Sequence, residues 1–185
     1  MKQELITLVD PQGKPINTVE KLVGHHADTP LHLAFSCYVF NDQGKFLVTR
    51  RALGKKVWPG VWTNSVCGHP APGEDMVDAI KRRLEYELGM TAADFDNLVP
   101  DYIYKTPPFK GIIEHEYCPI YIAYATSEPR PNPDEVADYK WLPWHEYVAA
   151  AEADTTDVYS WWGKDQLRLI KNHALIAKYS QPHVA

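Results

Sequence analysis

The most constraining stretch of this 185-residue chain lies between two glycines, Gly73 and Gly89. Val77, Ile80, Leu84 and Leu88 recur there at intervals of three and four, which predicts an amphipathic helix over 74–88 with Gly89 as its C-terminal cap. At about 100° per residue these four make one apolar stripe, and Asp75, Asp78, Arg82 and Glu85 fall on the solvent side. Glu87 lands about 20° from Ile80, at the margin of the stripe, with Arg83 one turn before it on the same flank. A carboxylate at that margin loses hydration and needs a cation to meet it. Arg83 would do so in an ordinary i, i+4 pair, and so would a divalent ion.

Strand signals surround this helix. Leu5 to Val9, a turn at Asp10-Pro11-Gln12-Gly13, and a piece around Ile16 to Val19 read as an N-terminal hairpin. Leu33 to Phe40 and Lys45 to Thr49 flank the turn Asn41-Asp42-Gln43-Gly44. Gly54 to Asn64 reads as a loop rich in Gly and Trp, Tyr117 to Tyr124 and Asp138 to Trp141 as strands, and Trp144 to Glu152 and Leu167 to Tyr179 as helices. Strands and helices are interspersed, with no repeat and no dividing linker. The expected class is α/β (α+β): a mixed β-sheet sandwiched between helices in a single compact domain.

Composition narrows the partners. A net charge of -5 with 19 Lys+Arg argues against general nucleic-acid or anionic-membrane binding, while leaving room for a local basic pocket. No apolar run reaches the roughly 18 residues of a membrane span. Met1-Lys2-Gln3-Glu4 lacks the order of a signal peptide, so a soluble, cytoplasmic protein is expected. Cys37, Cys67 and Cys118 are too few for a disulfide framework. Cys37 and Cys118 sit in apolar strand patterns. Cys67, beside the Gly68-His69 turn, is the candidate reactive thiol, able to carry a proton, attack as a nucleophile or ligate metal.

Gly68-His-Pro-Ala-Pro-Gly-Glu74, then Arg82-Arg83-Leu84-Glu85-Tyr86-Glu87-Leu88-Gly89, resembles the Nudix box, a loop-helix-loop that holds divalent metal against a diphosphate. Arg83 and Tyr86 stand where Nudix hydrolases carry glutamates. Loss of those carboxylates weakens activation of water, and Arg83 is suited to gripping a diphosphate intact, so the departure points to a non-hydrolytic member. Glu114 and Glu116, two apart on a strand, can share a face. With His25, His32 and His69 they would make a nitrogen and carboxylate site suited to Mn, Fe or Zn more than to Ca or Mg alone.

Four further segments extend the resemblance: Thr29 to Ser36, Leu47 to Lys56, Trp58 to Pro70 with its Trp-Thr-Asn-Ser-Val-Cys-Gly-His string, and Glu114 to Pro119. Together they resemble the type I isopentenyl-diphosphate isomerases, Nudix-fold enzymes that interconvert isopentenyl and dimethylallyl diphosphate, in their compact bacterial form. The resemblance implies one isomerase domain over 1–185, with a core of about 30–165 and the N-terminal hairpin and C-terminal helix packed on it. It implies proton transfer through a tertiary carbocation, with Cys67 and Glu116 as the acid/base groups and Tyr104 assisting protonation. It assigns His25, His32, His69, Glu114 and Glu116 to one Mn, Zn or Fe ion, and Glu87 to a Mg ion carried in with the diphosphate. Lys21, Arg51, Lys55 and Arg83 become diphosphate-binding residues. Trp161 offers its π face to the cation, with Trp162 an open alternative. The partner is a small prenyl diphosphate, and the protein a monomer or homodimer. The competing readings are a Nudix pyrophosphohydrolase and a non-catalytic metal- or diphosphate-binding module.

Overall fold

The computed structural model describes residues 4–183, so the start at Met1–Gln3 and the last two residues lie outside it. Leu5–Val9 (β1) and Pro15–Glu20 (β2) form the expected hairpin, followed by one helical turn, Lys21–Gly24 (α1). The single strand predicted over Leu33 to Phe40 is two, His32–Leu33 (β3) and Phe35–Phe40 (β4). Tyr117 to Tyr124 likewise divides; between them the chain runs through Lys45–Arg51 (β5), Trp62–Thr63 (β6), Val66–Gly68 (β7), the helix Met76–Leu88 (α2), Ala92–Val99 (β8) and Ile103–Lys105 (β9) before reaching His115–Tyr117 (β10) and Ile120–Ala125 (β11). Both divisions have one cause. β3 runs parallel to β10 and β4 parallel to β11, so the paired strands cross together from one sheet into another. Ala34 N–H donates to Tyr117 O (2.9 Å) and Ser36 N–H to Pro119 O (3.1 Å), which carries the ladder across a bend where Pro119 itself has no N–H to give.

The smaller sheet has the order β2-β1-β3-β10-β9. The larger follows β12-β5-β4-β11-β8, where β12 is Val136–Pro143, with β6 paired to β5 and β7 to β4. β6 and β7 lie in and just after the segment read as a Gly/Trp loop, and β8 and β9 have no counterpart among the sequence signals. Trp144–Ala153 (α3) matches its prediction. The helix expected over Leu167 to Tyr179 is two, Trp161–Ile170 (α4) and Ala174–Tyr179 (α5), because His173 caps α5 by accepting from Leu175 N–H (3.2 Å).

β4 is buried along its whole length, and its alternation sorts the core into two layers. Phe35, Cys37 and Val39 pack with Ala79, Ile80, Leu84 and Leu88 of α2, while Tyr38 and Phe40 pack with Trp144, Tyr147, Leu167 and Tyr179 of α3 to α5. The larger sheet is thus the one sandwiched between helices. Within α2 the buried stripe takes Ala79 in place of Val77, which is only half-buried. Asp75 precedes the helix as its N-cap, accepting from Val77 N–H (2.8 Å) and Asp78 N–H (3.3 Å). Gly89 closes it at φ 54°, where a Cβ would also meet Arg130 O at 2.9 Å.

Candidate active site

The register of the smaller sheet lines up the first part of the site. Glu116 lies opposite His32 on one side and Tyr104 on the other, so three side chains from β3, β10 and β9 stand in a row. His25 comes from the C-terminal end of α1, His69 from just beyond β7, and Glu114 from just before β10. Ligand atoms of His25, His32, His69 and Glu114 all lie within 4.8 Å of one another. Oε1 of Glu116 joins them, 3.3 Å from Nε2 of His69 and 3.8 Å from Nε2 of His32. His115, between the two glutamates, instead places Nδ1 3.3 Å from Thr29 O.

Two observations fit this cluster to a metal. Nδ1 of His25 faces Lys21 O (2.7 Å) and Nδ1 of His32 faces Pro30 O (3.0 Å). Both contacts put the ring proton on Nδ1 and turn a bare Nε2 into the cluster. Nε2 of His25 and Oε2 of Glu114 lie 3.0 Å apart yet are buried without hydrogen-bond alignment to any partner, as donors of a common ion are. Burial drives His32 and His69 downward and keeps them neutral, the form that binds metal. Burial also opposes charge on His25, but the Glu114 carboxylate outweighs it and the net shift is upward.

The Trp62 to His69 string is held by buried polar side chains. Asn64 Nδ2 donates to Val66 O (2.8 Å), Ser65 Oγ donates to Leu47 O (2.6 Å) and accepts from Val39 N–H (2.8 Å), and Thr49 Oγ1 donates to Asn64 O (2.9 Å). Stitched to β4 and β5 in this way, β7 presents Cys67 and His69 on one side. Glu74 and Arg82 brace the loop that follows: Arg82 grips Glu74 through two 2.7 Å bonds and reaches His69 O at 3.2 Å.

These groups open on a cavity of about 380 Å³ lined by Cys67, Tyr104, Glu114, Glu116, His25 and His69, and also by Lys21, Arg51, Lys55, Arg83 and Glu87. Burial pushes the Cys67 thiol up to about 12, with Arg51 pulling the other way. Burial raises Glu87 as well, against the 2.6 Å ion pair with Arg83. Tyr104 donates to Oε2 of Glu116 at 2.7 Å. Of the two indoles, Trp162 lines the cavity, its Nε1–H directed at Asn64 Oδ1 (3.3 Å), while Trp161 packs on Tyr104 with ring centres 6.0 Å apart. Glu4 and Glu135 also line the cavity, each bonded to a Lys. No residue spacing announced either one. Glu135 ends the Asn132-Pro133-Asp134 turn before β12, and only strand pairing brings it here.

The mixed-sheet sandwich and its glycine-capped helix define the class of NUDIX domains, and a NUDIX domain matches residues 30–162. The Deinococcus radiodurans protein DR0079 shares the fold, with a TM-score of 0.68 and 18% identity over 90% of this chain and 99% of that one. A MutT protein from Methanosarcina mazei does so at a TM-score of 0.56 and 14% identity, covering 81% and 93%. Proteins named isopentenyl-diphosphate Delta-isomerase are far nearer in sequence: 47% identical in Frankia alni over 88% of this chain and 83% of that one, and 50% in Klebsiella pneumoniae strain 342 over 88% of each. The chain belongs to the isopentenyl-diphosphate Delta-isomerase family. No helix among the described residues is long and apolar enough to cross a membrane.

Proposed function

We propose that the protein interconverts isopentenyl and dimethylallyl diphosphate, adding a proton at one end of the double bond and removing one from the far side. The observation that carries this reading is that Cys67, from the larger sheet, and the Tyr104-bonded Glu116, from the smaller, face one cavity. A double-bond shift through a tertiary cation requires two proton carriers, and these two come from different sheets. Cys67 is held as a thiol, and the Glu116 carboxylate with the Tyr104 hydroxyl forms the other carrier; one gives a proton as the other accepts, in either direction of a reversible reaction. Trp162, which lines the cavity, or Trp161, packed on Tyr104, would supply the indole that stabilises the cation.

Lys21, Arg51, Lys55 and Arg83 fit a diphosphate by charge and by the donor geometry of arginine. His25, His32, His69, Glu114 and Glu116 would hold one Mn, Zn or Fe ion, and Glu87 a Mg ion arriving with the substrate. When bound, these ions supply positive charge that orients Glu116 and offsets the diphosphate. The three unpaired cysteines accord with a cytoplasmic location. Incubation with isopentenyl diphosphate and Mg²⁺ tests the reading: dimethylallyl diphosphate is the expected product, and phosphate release without the isomer overturns it in favour of a hydrolase.

A further inference from the structure

Glu135 lines the same cavity as Lys55 and Arg83, and its position is set by backbone. Its N–H donates to Asn132 O (3.0 Å), its carbonyl accepts from Ala52 N–H (2.9 Å), and the next residue, Val136, pairs with Arg51 across β12 and β5. The side chain is therefore aimed from a fixed strand end, and only 14% of it is exposed. One oxygen, Oε2, receives Lys55 Nζ and also lies 3.4 Å from Arg83 Nη2. Two cations from different elements, the loop after β5 and α2, thus converge on a single atom. Arg83 has a second carboxylate in Glu87, whereas among the described residues Glu135 is the carboxylate paired with Lys55.

We propose that Glu135 makes this site select a diphosphate over a single phosphate, acting as an internal counter-anion that only a ligand engaging Lys55 and Arg83 together can displace. A single phosphate that approaches one of the two cations must break a charge-assisted contact and then sit beside the carboxylate it has dislodged. Its gain and its loss nearly cancel. A diphosphate offers two linked anionic groups, replaces both contacts at once, and keeps the surplus. The carboxylate is thus a repulsive element aimed at the wrong ligand. This inference rests on the reading of Lys55 and Arg83 as diphosphate-binding residues.

The test is titration calorimetry of the full chain with inorganic pyrophosphate and with inorganic phosphate at fixed Mg²⁺. Glu135→Gln keeps the shape and an acceptor while removing the charge. It is expected to tighten phosphate binding by about tenfold and pyrophosphate binding by much less, so that the preference for pyrophosphate falls. An unchanged preference, or weaker binding of both anions, overturns the inference. Should Glu135→Gln not fold, Lys55→Met serves: pyrophosphate affinity is expected to fall at least about tenfold and phosphate affinity by less, and an equal loss of both overturns it. Wild-type protein that binds no pyrophosphate overturns the diphosphate site and this inference together, whereas wild-type binding with an unchanged preference in the variant overturns the inference alone.

Discussion

The Tyr104 hydroxyl donates a 2.7 Å hydrogen bond to Oε2 of Glu116, and the other oxygen of that carboxylate faces His69 at 3.3 Å. One carboxylate therefore joins the histidine cluster to a buried phenol. Tyr104→Phe removes the proton on that side and leaves the ring in place. Turnover is expected to fall by about 10²- to 10⁴-fold with little change in KM. Steady-state kinetics with isopentenyl diphosphate check this, and unchanged turnover would remove Tyr104 from proton transfer.

Chelation tests whether the His/Glu cluster holds a metal ion. Extensive dialysis against EDTA is expected to abolish isomerisation and lower the Tm, with both restored by a divalent transition ion. A ligand at 100 times its Kd stabilises by about 2.7 kcal/mol, which sets the scale of the shift. His32→Ala, at the centre of the cluster, is expected to purify with substoichiometric metal by elemental analysis. Full metal content in that variant would place the ion elsewhere.

The Cys67 thiol, pushed up to about 12 by burial, is almost wholly protonated at neutral pH. Its alkylation by iodoacetamide is expected to be slow at pH 7 and to rise about tenfold per pH unit through pH 10, without the plateau of an ordinary thiol near 8.5. Cys67→Ala should lower turnover at least about 10²-fold with a native circular dichroism spectrum. Rapid labelling at pH 7 would show a thiolate in place of the thiol at Cys67.

Asp154 terminates α3 and accepts from Thr156 N–H and Tyr159 N–H, each at 2.9 Å, and from Lys164 Nζ at 3.3 Å. Burial alone would raise its carboxyl, but these donors hold it well below the ordinary carboxylate range. A folded value below the unfolded one, near 3.9, means its stabilisation is full above about pH 5 and is lost as pH falls. Asp154→Asn should therefore narrow the stability gap between pH 7 and pH 3. Urea midpoints at the two pH values measure it, and an unchanged gap would assign the acid sensitivity to other groups.

Leu84 is fully buried between α2 and β4. Leu84→Ala should cost about 2–5 kcal/mol of stability, read from urea unfolding with the m-value unchanged. A cost under about 1 kcal/mol would mean that the helix collapses readily onto the sheet.

The α2 helix, its glycine cap and its apolar stripe were legible because they depend on neighbours three and four residues apart. Asp75 as N-cap and Ala79 in place of Val77 are shifts of a residue or two at its start. Glu114 and Glu116 were paired by their two-residue spacing, whereas His25, His32 and His69 joined them only through the family resemblance, because no local pattern links three histidines so far apart in the chain. The single strands drawn over 33–40 and 117–124 went wrong for a reason that local pattern cannot carry: each continues its apolar run while changing sheets, and that bend depends on the other strand bending beside it.

What the sequence by itself determined is therefore local: the helix and its glycine cap, the hairpin and the string that holds Cys67. The tertiary structure alone decided which residues meet. The register of β3, β10 and β9 sets His32, Glu116 and Tyr104 side by side, and a one-residue slip of β10 would turn Glu116 out of the row. The β12 and β5 ladder brings Glu135 to Lys55 from eighty residues away. Such meetings arise from backbone hydrogen bonds between distant segments, whose partners no stretch of sequence specifies alone.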